Sequence, residues 1–402
     1  MHNNSAFIDQ YIESKIKFFF YILAITTAVS AFNNFYDFHA YKMGDWLINY
    51  QSGFIRRGFL GEMILIISKA TDINIGILLV ILQIGIYFGI FFYVYRLLIL
   101  KKKFFAYSLI LVSPFFLFFH IADYQAGFRK EILYFLSLVF LAYTSYKSKE
   151  QFIKSFYIIL LIYPLLILTH EMLALFLPYF LIMFLLIEKD ISRHILNIII
   201  LLSISLIAFV VAILNNTHDV AQMNDMLKVI QSNYNVQPSG ILWLSNNTSD
   251  TIAYTRNIIF KDYYVVYIFL LVIVSFAFIP IMKNIKDIFK TIISRLLISI
   301  TLFGTIVLMI VAIDWGRFIY IHLFSLIILT LVKNENINNG ASKGFENFIN
   351  LQSPLRLKFL YFAYAFLWYF PHLHPIKGFT RLFRTLEGLI APYVKLFTHL
   401  LA

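Results

Sequence analysis

Long apolar runs recur roughly every 30 to 40 residues along this chain of 402 residues, with no extended polar block between them. A helix needs about 20 apolar residues to cross the hydrocarbon of a bilayer, and open backbone is not tolerated there, so each run must be helical. The predicted class is therefore all-α: a polytopic integral membrane protein of about ten to eleven transmembrane helices in one domain. Sixty per cent hydrophobic residues, 13% charged residues and a mean hydropathy of +0.79 lie far from the balance of a soluble domain. The predicted spans are 18–34, 74–99, 104–122, 131–146, 155–169, 172–187, 195–214, 263–282, 296–313 and 318–332, with an eleventh over 358–371. Thr169, His170 and Glu171 interrupt the run from Phe156 to Ile187, which places a tight turn there. Segment 372–402 carries Arg381, Arg384 and Lys395 among apolar residues at helical spacing, the pattern of an amphipathic interfacial helix.

The formal charge of +12 could suggest nucleic acid. Its lysines and arginines are instead spread through short inter-helix loops, where they report topology, and no nucleic acid is expected. With the N-terminus in the cytoplasm, inside loops hold cations over outside loops by about two to one. Lys101 to Lys103 act as a stop on the inner side. Absence of cysteine excludes disulfides, thiolate metal sites and a cysteine nucleophile. The first apolar run lacks a small-residue cleavage site and reads as a retained helix. Heavy use of Phe, Ile, Tyr, Asn and Lys is the composition of an AT-rich bacterial gene.

Arg56, Arg57, Arg129, Lys130 and Arg317 fall on the outer side, where that rule discourages cations. Arg56 and Arg57, flanked by Gly53, Gly58 and Gly61 in the outer loop 35–61, could approach an anion closely, and guanidinium forks suit a diphosphate. Alternatively, Tyr41, Trp46 and Tyr50 form an interfacial belt while the arginines reach lipid headgroups. Glu62, in an apolar segment, calls for a cationic partner. Asp123, Arg129, Lys130 and Glu131 sit in one turn and could equally be solvated pairs. Asp314 and Arg317 are three apart and could form a simple helix pair.

His170 and Glu171 break a strongly apolar stretch, where ionisable groups are costly unless they serve a site; either is a candidate proton carrier, as is Asp45. Position 174 is Ala, so the second histidine of a zinc helix is missing, and no metal or cofactor is expected. Trp243 and the polar residues of the outer loop 215–261 would suit carbohydrate. Gly85-x-x-x-Gly89 reads as a helix-packing motif, and His372-x-His374 as an interfacial turn in preference to a metal site.

Gly44-Asp45 with Tyr50 in the first outer loop, Arg129 entering the fourth span, His170 at the turn after the fifth and Arg317 near the ninth resemble bacterial polysaccharide polymerases of the Wzy and EpsG type. The resemblance is a pattern of isolated residues across roughly 40–325, and Glu171 stands where EpsG-like chains commonly carry a small hydroxyl residue. It implies a glycosyltransferase, similar to C-type membrane enzymes, that joins undecaprenyl-diphosphate-linked oligosaccharides outside the bacterial inner membrane. A chain-length regulator and membrane lipid would be its partners. Under that reading Arg56, Arg57, Arg129, Lys130 and Arg317, with Asp314 and Glu62, bind substrate, and His170, Glu171 or Asp45 is the base. The alternatives are a transferase that adds one sugar from a polyprenyl monophosphate, and a lipid-linked oligosaccharide flippase.

Overall fold

The computed structural model describes residues 2–101, 104–215, 219–333, 354–366, 368, 371, 372 and 384–401. Lys102, Lys103, His374 and Arg381 lie outside the described residues. Every regular element among the described residues is helical. In chain order the main helices are α1 (His2–Tyr36), α2 (Phe59–Thr71), α3 (Ile75–Lys101), α4 (Phe104–Leu111), α5 (Ile132–Thr144), α6 (Lys149–Thr169), α7 (Pro178–Ile187), α8 (Ile195–Leu214), α9 (Val220–Gln231), α10 (Thr248–Thr255), α11 (Tyr264–Ala277), α12 (Ile292–Val311), α13 (Trp315–Leu331), α14 (Pro354–Phe366) and α15 (Arg384–Leu401). Five helical stretches, Glu13–Tyr36, Ile75–Lys101, Lys149–Thr169, Ile195–Leu214 and Ile292–Val311, are long and apolar enough to cross a membrane. Shorter apolar helices cover Ile132–Thr144, Glu171–Ile187 and Trp315–Leu331.

The bundle has two polar ends. At one, Lys101 donates to the Val332 carbonyl, Tyr146 donates to the Leu331 carbonyl, and Lys149 pairs with Glu188 at 2.9 Å. The other end holds Asp45 and is built differently. There α1 leaves its helix at Phe38, whose φ of 51° reverses the chain. His39 then caps the turn Ala40–Gly44, its Nδ1 accepting from the backbone of Tyr41 and Lys42. Both ends of α2 stay at this end: Gly61 backs onto the Ile48 carbonyl, and beyond Asp72, in the left-handed conformation, Asn74 donates to the Asn233 carbonyl.

Three sequence expectations change. Segment 104–122 is not one continuous helix but α4, a run of turns and the short helix Phe119–Ala122. Pro114 lacks an N–H and disfavours helix at Ser113, and the irregular backbone is tolerable because nearly all of it is buried in protein. Segment 215–261 is not a loop. It contains α9 and α10, and α9 buries Met223, Met226, Leu227 and Ile230 at helical spacing. The stretch Thr248–Lys261 meets α11 at a 66° bend. Finally, Gly85 would meet nothing within 4 Å if it gained a Cβ, while Gly89 packs on Leu136 of α5, so only half of the proposed packing motif packs.

The turn expected at His170 is present: α6 ends at Thr169, His170 is extended, and a 3-10 turn over Glu171–Phe176 leads to α7. The C-terminal helix α15 packs against α1. Asn33 Nδ2 donates to the Pro392 carbonyl at 2.7 Å, and the Thr26 and Tyr393 hydroxyls are 2.9 Å apart.

Candidate functional site

The Asp45 end gathers side chains that are far apart in sequence. Asp45, 7% exposed, follows the His39-capped turn, and Trp46 beside it anchors the segment by donating its indole N–H to the Phe128 carbonyl at 2.8 Å. The chain then runs to Arg56, whose backbone N–H donates to the Asn215 carbonyl, and to Arg57, held at φ 69°. Phe128, one residue before Arg129, stands at φ 60°. Left-handed backbone at a bulky residue costs about 1–3 kcal/mol, and such strain persists where the surroundings over-determine it. Here Tyr87 and Trp46 fix Phe128 through its N–H and carbonyl, and Lys130 Nζ donates to the Arg57 carbonyl at 3.0 Å.

Two ion-pair networks result. Arg57 reaches Glu171 through Nη2 at 2.6 Å and Nε at 2.9 Å, and its Nη1 lies 3.8 Å from Asp45. Arg56 is 3.6 Å from the same Glu171. Lys130, fully buried, is 3.9 Å from Asp45. On the far side Arg317 grips Glu131 with Nε and Nη2, each at 2.9 Å, and turns Nη1 to Asp314 at 2.9 Å. Arg129 lies differently. Its Nη1 donates to the Tyr41 carbonyl at 3.4 Å, its guanidinium sits 5.0 Å from the Tyr41 ring centroid, and no carboxylate among the described residues comes within ion-pair range. The Nε atoms of Arg56 and Arg129 and Nδ1 of His170 are buried without a hydrogen-bond partner.

The electrostatics follow from burial set against neighbours. Burial opposes ionisation of Asp45, yet Lys130 and Arg57 outweigh it and hold the carboxyl down to about 2. Burial brings the Lys130 ammonium down to about 8 even with Asp45 beside it. Burial and then repulsion from Arg317 lower Arg129. The cluster thus keeps Asp45 ionised and leaves Arg56 and Arg129 with donor capacity, a construction suited to an anion.

The structure brings Asp45, Arg56, Arg57, Arg129, Lys130, His170, Glu171, Asp314 and Arg317 to one end of the bundle, linked by the contacts above. Glu62 stands apart: its carboxylate accepts from the Tyr50 backbone at 2.9 Å and from the Gln51 amide at 2.6 Å, so local donors replace the expected cation. Asp314 and Arg317 do pair at i, i+3, but Arg317 spends its fork on Glu131. Glu171 is engaged by both neighbouring arginines, which leaves His170, with Nδ1 3.6 Å from Glu171, as the less committed of the two.

Glu131 was not among the predicted site residues, because as a loop charge it read as a partner of its own neighbours. Asp123 joins His372 Nδ1 at 2.9 Å, a pairing that no local pattern announces. Lys42, fully buried, sits 3.0 Å from the Tyr124 ring centroid and donates to Asn34. Among the described residues no three acids or histidines converge as a metal site would require. Comparison with protein-family models, curated proteins and solved structures yields no match to this chain.

Proposed function

We propose that the chain is a glycosyltransferase of the polymerase type, joining undecaprenyl-diphosphate-linked repeat units on the extracytoplasmic face of a bacterial inner membrane. The observation that carries this reading is the pair of buried guanidinium Nε atoms without hydrogen-bond partners, on Arg56, whose Nη1 reaches Glu171 only at 3.6 Å, and on Arg129, within a cluster where Arg57, Lys130 and Arg317 already face carboxylates. Free donors on two guanidinium groups at one end of an apolar bundle suit an anion with several oxygens and an apolar anchor, and a lipid-linked diphosphate is such an anion.

The topology supports it. With the N-terminus inside, α1, α3, the 104–122 segment, α5, α6, the Glu171–Ile187 stretch, α8, α11, α12 and α13 alternate through the bilayer, and α14 makes an eleventh crossing. The Lys101 end then faces the cytoplasm and the Asp45 end the outside, while α2 and the α9–α10 block cover the outer surface. In this arrangement α15 is an interfacial helix of the outer leaflet.

In the reaction the acceptor hydroxyl attacks the anomeric carbon of the donor glycan. A C–O bond forms there, the bond to the diphosphate oxygen breaks, and undecaprenyl diphosphate leaves. His170 takes the hydroxyl proton through Nδ1, which lies 3.6 Å from Glu171 and makes no hydrogen bond. Arg56 and Arg129 hold the diphosphate and stabilise the charge that develops on it; Arg57, Lys130 and Arg317, tied to Glu171, Asp45 and Glu131, keep the cluster rigid.

The test is to express Arg56→Ala, Arg129→Ala and His170→Ala chains, confirm insertion, and examine surface glycan on gels. Collapse of the polymer ladder to single repeat units is expected. Normal chain length in stable variants rejects the assignment, and loss of one sugar without loss of polymer points to single-sugar transfer.

A further inference from the structure

We infer that the C-terminal segment is a working part of the site: His372 is a positioning residue that fixes the Arg129 turn against the start of α13. The inference rests on the reading of the arginine cluster as the substrate site. His372 lies 6% exposed between two elements. Toward one, its backbone N–H donates to Asp123 Oδ2 at 3.0 Å and its ring Nδ1–H to Asp123 Oδ1 at 2.9 Å, so a single residue occupies both carboxylate oxygens. Toward the other, its carbonyl accepts the Gly316 N–H at 3.0 Å, satisfying one of the donors that the first turn of α13 leaves open.

Both contacts sit at the base of a site arginine. Asp123 opens the turn that carries Arg129, Lys130 and Glu131, and Gly316 directly precedes Arg317. Gly316 also lies close to this pair: a Cβ there would strike the Pro371 carbonyl, so Pro371 and His372 can approach the helix start because the residue is glycine. A second fastening lies further along. Asp37 accepts from Lys395 and from His399 Nε2 on α15, and also from the hydroxyl of Tyr124, the residue after Asp123. Among the described residues the turn and α13 are also joined through Glu131 and Arg317, so His372 sets the spacing at which that fork closes and Arg129 stays clear of it.

The test uses hydrogen exchange on the full chain in detergent, beside glycan ladders in cells. His372→Ala is expected to speed exchange of amides in 123–131 at least tenfold while leaving 145–150 at the opposite end unchanged, and to shorten the glycan. His372→Asn, whose side-chain N–H can take the place of Nδ1–H, is expected to restore both readings. Because the natural chain has no cysteine, an Asp123→Cys, His372→Cys pair can be oxidised cleanly, and the cross-link is expected to bring exchange in the turn back to the natural rate. Unchanged exchange in His372→Ala overturns the inference, as does faster exchange with normal glycan. If Arg129→Ala leaves the glycan normal while the exchange results hold, the functional reading has failed and the positioning by His372 has not.

Discussion

Arg317 and Glu131, 186 positions apart, close a two-pronged ion pair in which Nε and Nη2 each stand 2.9 Å from a carboxylate oxygen, with both side chains almost wholly buried. Breaking one side of such a pair leaves a charge in a dry site at a cost of about 3–5 kcal/mol. Arg317→Ala is therefore expected to lower the thermal unfolding temperature in detergent sharply, and replacing Glu131 by Leu in the same chain is expected to recover part of that loss. A single variant as stable as the natural chain would contradict the pairing.

Arg129 and Arg57 are expected to separate in the same assays. Arg129 has no carboxylate within ion-pair range among the described residues, so Arg129→Gln should fold with near-natural stability and, on the proposed function, bind undecaprenyl diphosphate about tenfold to a hundredfold more weakly, the worth of one or two charge-assisted hydrogen bonds. Arg57→Gln removes the shortest contact to Glu171 and leaves it with Arg56 at 3.6 Å, and leaves Asp45 with Lys130 at 3.9 Å, so this variant should lose stability first. Calorimetric binding beside thermal unfolding distinguishes the two, and equal stability losses would refute the division of roles.

The Lys130 amine, brought down by burial to about 8, gives the site an alkaline limit. Below that pH the ammonium is present and faces Asp45; above it the amine is neutral and the cluster loses a cation. On the proposed function, initial rates of glycan transfer in membranes should fall as pH rises through about 8, and Lys130→Arg should move that limb upward. The stability effect has the opposite sign. The unfolded chain holds this proton up to 10.5, so between about 8 and 10.5 it binds more protons than the folded chain, and the residue's contribution to stability rises with pH. An unmoved limb in Lys130→Arg would exclude Lys130 as its source.

Two glycines give a contrast in packing. At Gly61 an added Cβ would collide with the Ile48 carbonyl, whereas at Gly85 it would meet nothing within 4 Å. Gly61→Ala is expected to destabilise by about 1–3 kcal/mol, as overpacking against backbone does. Gly85→Ala should stabilise α3 by up to about 1 kcal/mol through helix propensity. Detergent unfolding of both variants checks the pair, and a reversed order would mean the α2 approach is wrong.

Helical class, the apolar runs and the interruption at His170-Glu171 were legible in the sequence because each depends on local hydropathy: a window of apolar residues, or a charge within one, carries the information by itself. The suspicion attached to Arg56, Arg57, Arg129, Lys130 and Arg317 was legible for the same reason, as cations placed against the loop bias. Pro114 announced a break inside 104–122, and the apolar spacing of Met223, Met226, Leu227 and Ile230 announced α9, but both signals were weaker than the hydropathy around them.

Partner choice was a different kind of question. Glu131 stands beside two cations in the chain yet binds Arg317, Glu62 lies near Arg57 yet is held by Tyr50 and Gln51, and Asp123 waits for His372. Sequence alone determined which residues are too polar for their surroundings, since the cost of burying charge is a property of the residue and its window. Only the tertiary structure decided which charge answers which, because an ion pair depends on distance and direction in space, and helices that cross a bundle bring together positions that the chain keeps far apart.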